Sequence, residues 1–341
     1  MKRRALVLIS FAVTAAVAGC GGSASSTTTR SAAAAAAKRT SAQASTGAHA
    51  HATPAAVAVN VQPAGQLPAP VQWPATAAAG DHLLLMGGLD QATASMSEIV
   101  RAGPAGVEQV GSLPYAVHDA AGASLGGTSY LLGGGEPSFS NILAVSPGGG
   151  TTVAGHLPAA ASDVAAGVIG SLVYVVGGYT GTVPLDTIVA WPGSGTGRVV
   201  AHLPHPVRYA AVAAIDGRLI VAGGTSGDSA TREVYSFDPA SGNVRQIGVL
   251  PRPLTHAAAA ALDGRVYVIG GRGADQGTQT GAILAIDPLS GSVRAAGRLP
   301  VALSDVGAAP LGGAVLVAGG RQSSGELSRQ VYSLRPSAGP A

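Results

Sequence analysis

Residues 203–250 read LPHPVRYAAVAAIDGRLIVAGGTSGDSATREVYSFDPASGNVRQIGVL, and this stretch decides the fold. A Leu-Pro pair opens it. A run of small residues, AAVAAI (210–215), then meets Asp216-Gly217, and Asp-Gly between apolar runs is among the strongest hairpin signals. LIVAGG (219–224) carries β-branched residues into a glycine pair, which suits a strand end that needs positive φ or close backbone approach. EVYSF (233–237) follows, Asp238-Pro239 turns the chain, and NVRQIGV (243–249) leads into the next Leu-Pro. Each apolar run is of strand length and is closed by turn residues, so the unit predicts four short antiparallel strands.

The unit recurs. Outward from it, the run ending in a glycine pair appears as LLLMGG (83–88), YLLGG (130–134), VYVVGG (173–178), VYVIGG (266–271) and VLVAGG (315–320). The second glycines, at 88, 134, 178, 224, 271 and 320, are spaced 46, 44, 46, 47 and 49 residues apart. The prolines of the Leu-Pro pairs, at 68, 114, 158, 204, 251 and 300, keep the same spacings. Two independent markers holding one register six times define a repeat array. The last unit has only one run after Gly320, QVYSL (330–334), and lacks a fourth strand. An orphan strand, VAVNVQP (57–63), stands before the first Leu-Pro and is expected to complete the sixth unit.

A four-stranded unit of this length resembles the kelch β-propeller repeat, and the resemblance covers nearly all of the chain after residue 56. It implies an all-β fold: a six-bladed kelch-like β-propeller with four antiparallel strands per blade, the last blade closed by the N-terminal strand. Trp-Asp pairs, the mark of another propeller class with a similar period, are absent. Where the kelch family usually places an aromatic in the third strand and a tryptophan about seven residues later, this chain has Phe237 and Val244, or Ile286 and Val293.

Composition agrees with this organisation. Glycine supplies 50 of 341 residues, charged residues only 11%, and the mean hydropathy is +0.34. Glycine at that density disfavours long helices. The longest apolar run, Ala5 to Ala18, is shorter than the ~20 residues a spanning helix needs, which excludes a polytopic helical membrane protein. The formal charge of +3 comes from the first 39 residues, because Lys2, Arg3, Arg4, Arg30, Lys38 and Arg39 all lie there. Without those six, 14 basic residues face 17 acidic ones, so no nucleic-acid partner is expected.

Residues 1–20, MKRRALVLISFAVTAAVAGC, have a basic start, an apolar core and small residues before a cysteine. That is the plan of a signal peptide. Val17-Ala18-Gly19-Cys20 resembles the lipobox of bacterial lipoproteins, which implies cleavage after residue 19 and lipidation of Cys20. The resemblance further implies export and anchorage to the outer face of a bacterial cytoplasmic membrane or another envelope membrane. Residues 20–55 are Gly, Ser, Thr and Ala with almost no large apolar side chain, a composition expected of a flexible tether. The domain scheme is therefore a signal peptide at 1–19, a lipidated linker at 20–55 and a propeller at 56–341.

In kelch-like propellers the loops entering the first strand and leaving the second share one face around the central channel. Positions four and five after each Leu-Pro proline then point to that mouth: Gln72-Trp73, His118-Asp119, Ser162-Asp163, Arg208-Tyr209, Thr255-His256 and Ser304-Asp305. Residues just after the glycine pairs join them: Asp90, Glu136, Tyr179, Thr225, Arg272 and Arg321. Asp163 and Asp305, each after a serine and before a strand, are expected to satisfy neighbouring backbone amides. The expected ligand-binding set is Trp73, His118, Asp119, Tyr179, Arg208, Tyr209, His256, Arg272 and Arg321.

The expected function is a tethered, non-enzymatic, monomeric binding module for an extracellular protein, peptide or glycan, with no catalytic residues, metal or cofactor. A second reading is an extracellular sugar-acting enzyme, by resemblance to six-bladed kelch-like sialic-acid mutarotases. In it His118, Asp119, Arg208 and His256 would supply acid, base and carboxylate clamp. Galactose-oxidase-like propellers need a cysteine cross-linked to a tyrosine, and Cys20 is the only cysteine, which excludes their copper chemistry. No Ser-His-Asp spacing, phosphate loop or metal-ligand cluster stands out along the chain.

Overall fold

In the computed structural model, residues 57–337 are described, and among them there is no helix. The signal-peptide and Cys20 expectations, and the whole of the tether, lie outside the described residues. The strands form six blades, each a sheet that runs from a central strand to an outer one. Blade 1 uses Ala75–Ala79, His82–Met86, Glu98–Gly103 and Gly106–Ser112. Blade 2 uses Ala121–Leu125, Thr128–Leu132, Asn141–Val145 and Thr151–His156, and blade 3 uses Ala165–Ile169, Leu172–Val176, Thr187–Trp191 and Arg198–His202. Blade 4 is Ala211–Ile215, Arg218–Ala222, Glu233–Asp238 and Asn243–Val249, and blade 5 is Ala258–Leu262, Arg265–Ile269, Ala282–Ile286 and Val293–Arg298. Blade 6 takes Gly307–Leu311, Ala314–Ala318 and Gln330–Pro336 from the end of the chain and Val59–Gln66 from its start. All blade pairings are antiparallel; two additions are Gly195–Thr196, which runs parallel to the outer strand of blade 2, and a small antiparallel ribbon of Thr225–Ser226 and Ser229–Ala230 in blade 4.

The central strands touch one another in a closed circuit, with Ala75–Ala79 meeting both Ala121–Leu125 and Gly307–Leu311. Their small residues follow from crowding. A Cβ on Gly122 would lie 2.2 Å from the Thr76 carbonyl oxygen, so even a methyl group does not fit there. The outer wall of each blade carries the larger side chains. Trp191, fully buried, packs edge-on against Tyr130 at 4.9 Å between blades 3 and 2, and donates its indole N–H to the Gly195 carbonyl.

The glycine pairs latch blade to blade. In every blade the second glycine donates its N–H to a carbonyl of the next blade: Gly88 to Val117, Gly134 to Ala161, Gly178 to Val207, Gly224 to Leu254, Gly271 to Leu303 and Gly320 to Val71, all at 2.8–2.9 Å. The first glycine clears the space. At Gly223, with φ of +61°, a Cβ would stand 2.2 Å from the same Leu254 oxygen. The pair is therefore required twice, for its backbone conformation and for close approach. Because Gly320 bonds Val71, the ring closes through a latch as well as through the shared sixth blade.

The orphan N-terminal strand lies where the repeat count places it. Val59 pairs with Pro336 and Gln66 with Gln330, antiparallel, with one bulge between Pro63 and Gly65. Every blade carries the same bulge on its outer strand, and a small residue follows it: Gly111, Gly155, Ala201, Gly248, Gly297 and Gly65.

Candidate functional site

At the entry to each central strand the chain turns down into the channel. The residue that makes the turn is the fifth after the Leu-Pro proline, and its φ is positive in all six blades: Trp73 (54°), Asp119 (55°), Asp163 (59°), Tyr209 (53°), His256 (57°) and Asp305 (62°). Five main-chain bonds link these six positions around the channel. Asp163 donates to Asp119, Tyr209 to Asp163, His256 to Tyr209, Asp305 to His256 and Trp73 to Asp305, at 2.8–3.3 Å. Left-handed backbone costs a non-glycine residue about 1–3 kcal/mol, less for Asp and His and more for bulky side chains. This chain has 50 glycines and uses none of them here. The strain is kept at six positions whose side chains line one cavity of about 160 Å³. Below it the channel continues as a second space of about 240 Å³ walled largely by alanine.

The ring side chains are knitted together. Asp305 accepts from the Trp73 indole and from Ser304 Oγ, both at 2.5 Å. Asp163 accepts from Arg208 Nε at 2.5 Å, and the Arg208 guanidinium lies 4.3 Å over the Tyr179 ring. Arg208 also donates to the Tyr209 hydroxyl at 3.3 Å, which donates in turn to Asp119 Oδ2 at 3.4 Å. Tyr209 stacks on His256 at 3.9 Å, and Trp73 sits about 6 Å from both, so three aromatic rings share the channel axis. His256 is locked in one neutral form. Arg272, which can only donate, bonds its Nε2 at 3.1 Å, leaving Nδ1–H for Thr255 Oγ1 at 3.0 Å.

Burial sets the charges. Asp119 is held well above the usual carboxylate range by desolvation first and then by Asp163 and Asp305, and the Arg208 charge does not offset them. Its Oδ1 is buried with no partner. Desolvation also pushes Asp305 up to about 6, against the bonds from Ser304 and Trp73 and the charge of Arg272. His256 is pushed well below its ordinary value by burial, with Arg272 and Arg208 adding to the shift. Burial likewise raises Tyr209 and lowers His118.

Of the nine residues expected from sequence, Trp73, Asp119, Tyr209 and His256 belong to the ring and line the cavity. His118 and Arg208 stand one residue earlier, on the rim. Tyr179, Arg272 and Arg321 face Ser162, Thr255 and Ser304 through single β-bridges on the same rim. Beyond the main-chain bonds to Ser304, the Arg321 guanidinium has no hydrogen-bond or ion-pair partner among the described residues. Two expectations need correction. Asp163 and Asp305 are nearly buried members of the ring with side-chain partners rather than caps of neighbouring amides, because the positive φ aims them into the channel. Asp90 and Glu136 are one position too late: Leu89 bridges Gln72, and Gly135 bonds His118, in the places assigned to them. Asp90 instead caps its own loop through the Ala94 amide. Among the described residues no group of three or more His, Cys, Asp or Glu side chains is arranged to hold a metal ion.

Comparison with known proteins bears on the fold. The sequence model for the Kelch motif matches residues 160–191 and 206–247, which fall on blades 3 and 4. The chain is a six-bladed kelch-like β-propeller. The solved structure of YjhT superposes on this propeller with a TM-score of 0.68 at 14% identity, over 79% of this chain and 98% of that one. At that identity the likeness concerns the fold. No curated protein matches the sequence.

Proposed function

We propose that this kelch-like propeller is an extracytoplasmic binding module that recognises a protein, peptide or carbohydrate at its channel mouth. One observation carries the reading: all six ring positions bear a large or charged side chain in a backbone conformation that glycine would adopt without strain. A chain that spends stability at one end of its channel, and nowhere else so regularly, is selecting side chains for what they touch. The unpartnered Arg321 guanidinium, the Trp73 ring and the orphan Asp119 oxygen offer a ligand an ionic contact, a stacking face and a buried polar contact.

A second reading is favoured by one feature. Asp119, whose burial favours the protonated form, lies beside Asp163, and a pair of carboxyl groups is what proton transfer on a sugar requires. Capture and turnover separate the two readings. Arg208→Ala combined with His256→Ala is expected to weaken capture of ligand from envelope extract or a glycan array by at least tenfold. Loss of sugar turnover without loss of capture would favour the enzyme, and unchanged capture and turnover would leave the mouth a solvated end of the fold.

The module is exported and held at the membrane through lipidated Cys20, on the strength of the sequence Val17-Ala18-Gly19-Cys20. Two or three acyl chains anchor stably without a spanning helix, at ~0.8 kcal/mol per buried methylene. Cys20→Ala is therefore expected to move the protein to the soluble fraction on membrane fractionation. Retention equal to that of wild type would contradict the anchor.

A further inference from the structure

Ser95 lies in the loop between the second and third strands of blade 1, exposed at the rim, and its Oγ is 2.8 Å from Nδ1 of His118 in blade 2. The other ring nitrogen, Nε2, faces Asp119 Oδ2 at 3.8 Å. In the tautomer that carries its proton on Nε2, on the side of that carboxyl, Nδ1 accepts the serine proton. Burial lowers His118 further than Asp163 and Glu136 raise it, so the ring is neutral and free to act as a base. The Thr255–His256 pair has the same elements and cannot do this. Its histidine is already engaged at both nitrogens and its hydroxyl is fully buried.

The backbone adds a second feature. Ser95 faces Leu89 across a bridge flanked by the Met96 N–H to Gly88 and Asp90 N–H to Ala94 bonds. Ser95 therefore occupies a non-hydrogen-bonded site, and no group among the described residues accepts its own N–H. A free amide beside an activated hydroxyl is a donor for the oxyanion that forms when that hydroxyl attacks a carbonyl.

We propose that Ser95 and His118 form a nucleophile–base pair at the rim of the mouth and that the protein hydrolyses a carboxylic ester presented there. This goes beyond capture and does not depend on it. Ser95 Oγ bonds to the acyl carbon while its proton passes to His118 Nδ1. The carbon–alkoxy bond then breaks, and the leaving alcohol takes that proton. Water attacks the acyl-serine, giving a proton to His118, and the carbon–Oγ bond breaks as Oγ recovers it, so ester and water become acid and alcohol. The class is ester rather than amide. One amide donor and a carboxyl 3.8 Å from the base stabilise the transition state modestly, which suits a good leaving group. Asp119 positions the imidazole and touches no reacting atom.

The test is labelling of the purified full-length protein by a fluorophosphonate, with p-nitrophenyl acetate as the turnover probe. Wild type is expected to label at Ser95. Ser95→Ala should lose the label, while Ser229→Ala, an exposed serine on blade 4, keeps it. His118→Asn should slow labelling by about 10²–10⁴-fold. The wild-type rate should level off by about pH 7, because burial holds the base below its ordinary 6.5. Melting curves matching wild type certify that the variants fold. Equal labelling of wild type and Ser95→Ala, or a His118→Asn rate equal to wild type, overturns the proposal. Capture by Ser95→Ala reports separately on the binding reading.

Discussion

A domain that starts at Leu67 is expected not to melt cooperatively, whereas one that starts at residue 57 should. Removing Val59–Gln66 strips the outer strand from blade 6 and leaves Gln330–Pro336 as an open edge. It also uncovers Tyr332 and Leu334, which belong to the same buried cluster as Val59. Seven paired positions and their apolar contacts are worth on the order of 5–10 kcal/mol, comparable to the whole stability of an ordinary domain. Thermal unfolding followed by circular dichroism measures this. A synthetic peptide of residues 57–66 added in trans should restore the transition, because it supplies the missing strand by edge pairing. A truncated domain that melts like the longer one would refute closure by the N-terminal strand.

Asp305→Asn is expected to gain stability relative to wild type as pH rises from 4 to 8. Asp305 has a folded value of about 6 against an ordinary 3.8, so between those values the folded state holds the proton that the unfolded state has released. The protonated carboxyl contributes its stability in full below about pH 4 and loses it as pH rises through 6. The difference between variant and wild type should therefore climb by about 3 kcal/mol across that window, at 1.36 kcal/mol per unit. Using the difference removes the opposing contribution of His256, whose depressed value makes wild type gain stability with pH over part of the same range. Any constant cost from the altered bonds to Trp73 and Ser304 also drops out. Denaturant titrations at pH 4, 6 and 8 give the curve, and a flat difference would mean that Asp305 ionises like an exposed carboxylate.

The repeat is what makes the fold legible. Leu-Pro and Gly-Gly carry register because each does a backbone task that other residues do poorly, and the latch from Gly224 to Leu254 shows which task. The strand count and the exchange of the N-terminal strand follow from the same markers. The site is less legible. Trp73, Tyr209 and His256 stand out because such side chains rarely precede a strand of alanines. Asp163 and Asp305 look like caps, since a Ser-Asp pair before a strand usually satisfies amides and nothing local encodes a positive φ at aspartate. The misplacement of Asp90 and Glu136 is a one-residue slip across variable loops; blade 2 has a third glycine, Gly135, where the others have a side chain. Ser95 is invisible for a different reason: its partner His118 comes from the next blade, so only the ring brings them together.

The protein contains two tryptophans, and only one can report a ligand. Trp191 is sealed between blades, while Trp73 lies in the ring with its indole bonded to Asp305. The most direct measurement of binding at the mouth is therefore a fluorescence titration of the soluble domain with whatever it captures, run on wild type, Trp73→Phe and the Arg208→Ala/His256→Ala variant. Binding at the mouth predicts a saturable change in wild type, none in Trp73→Phe, and a midpoint shifted at least tenfold in the double variant. A ligand captured at full affinity by all three, with no change in Trp73 emission, would contradict it.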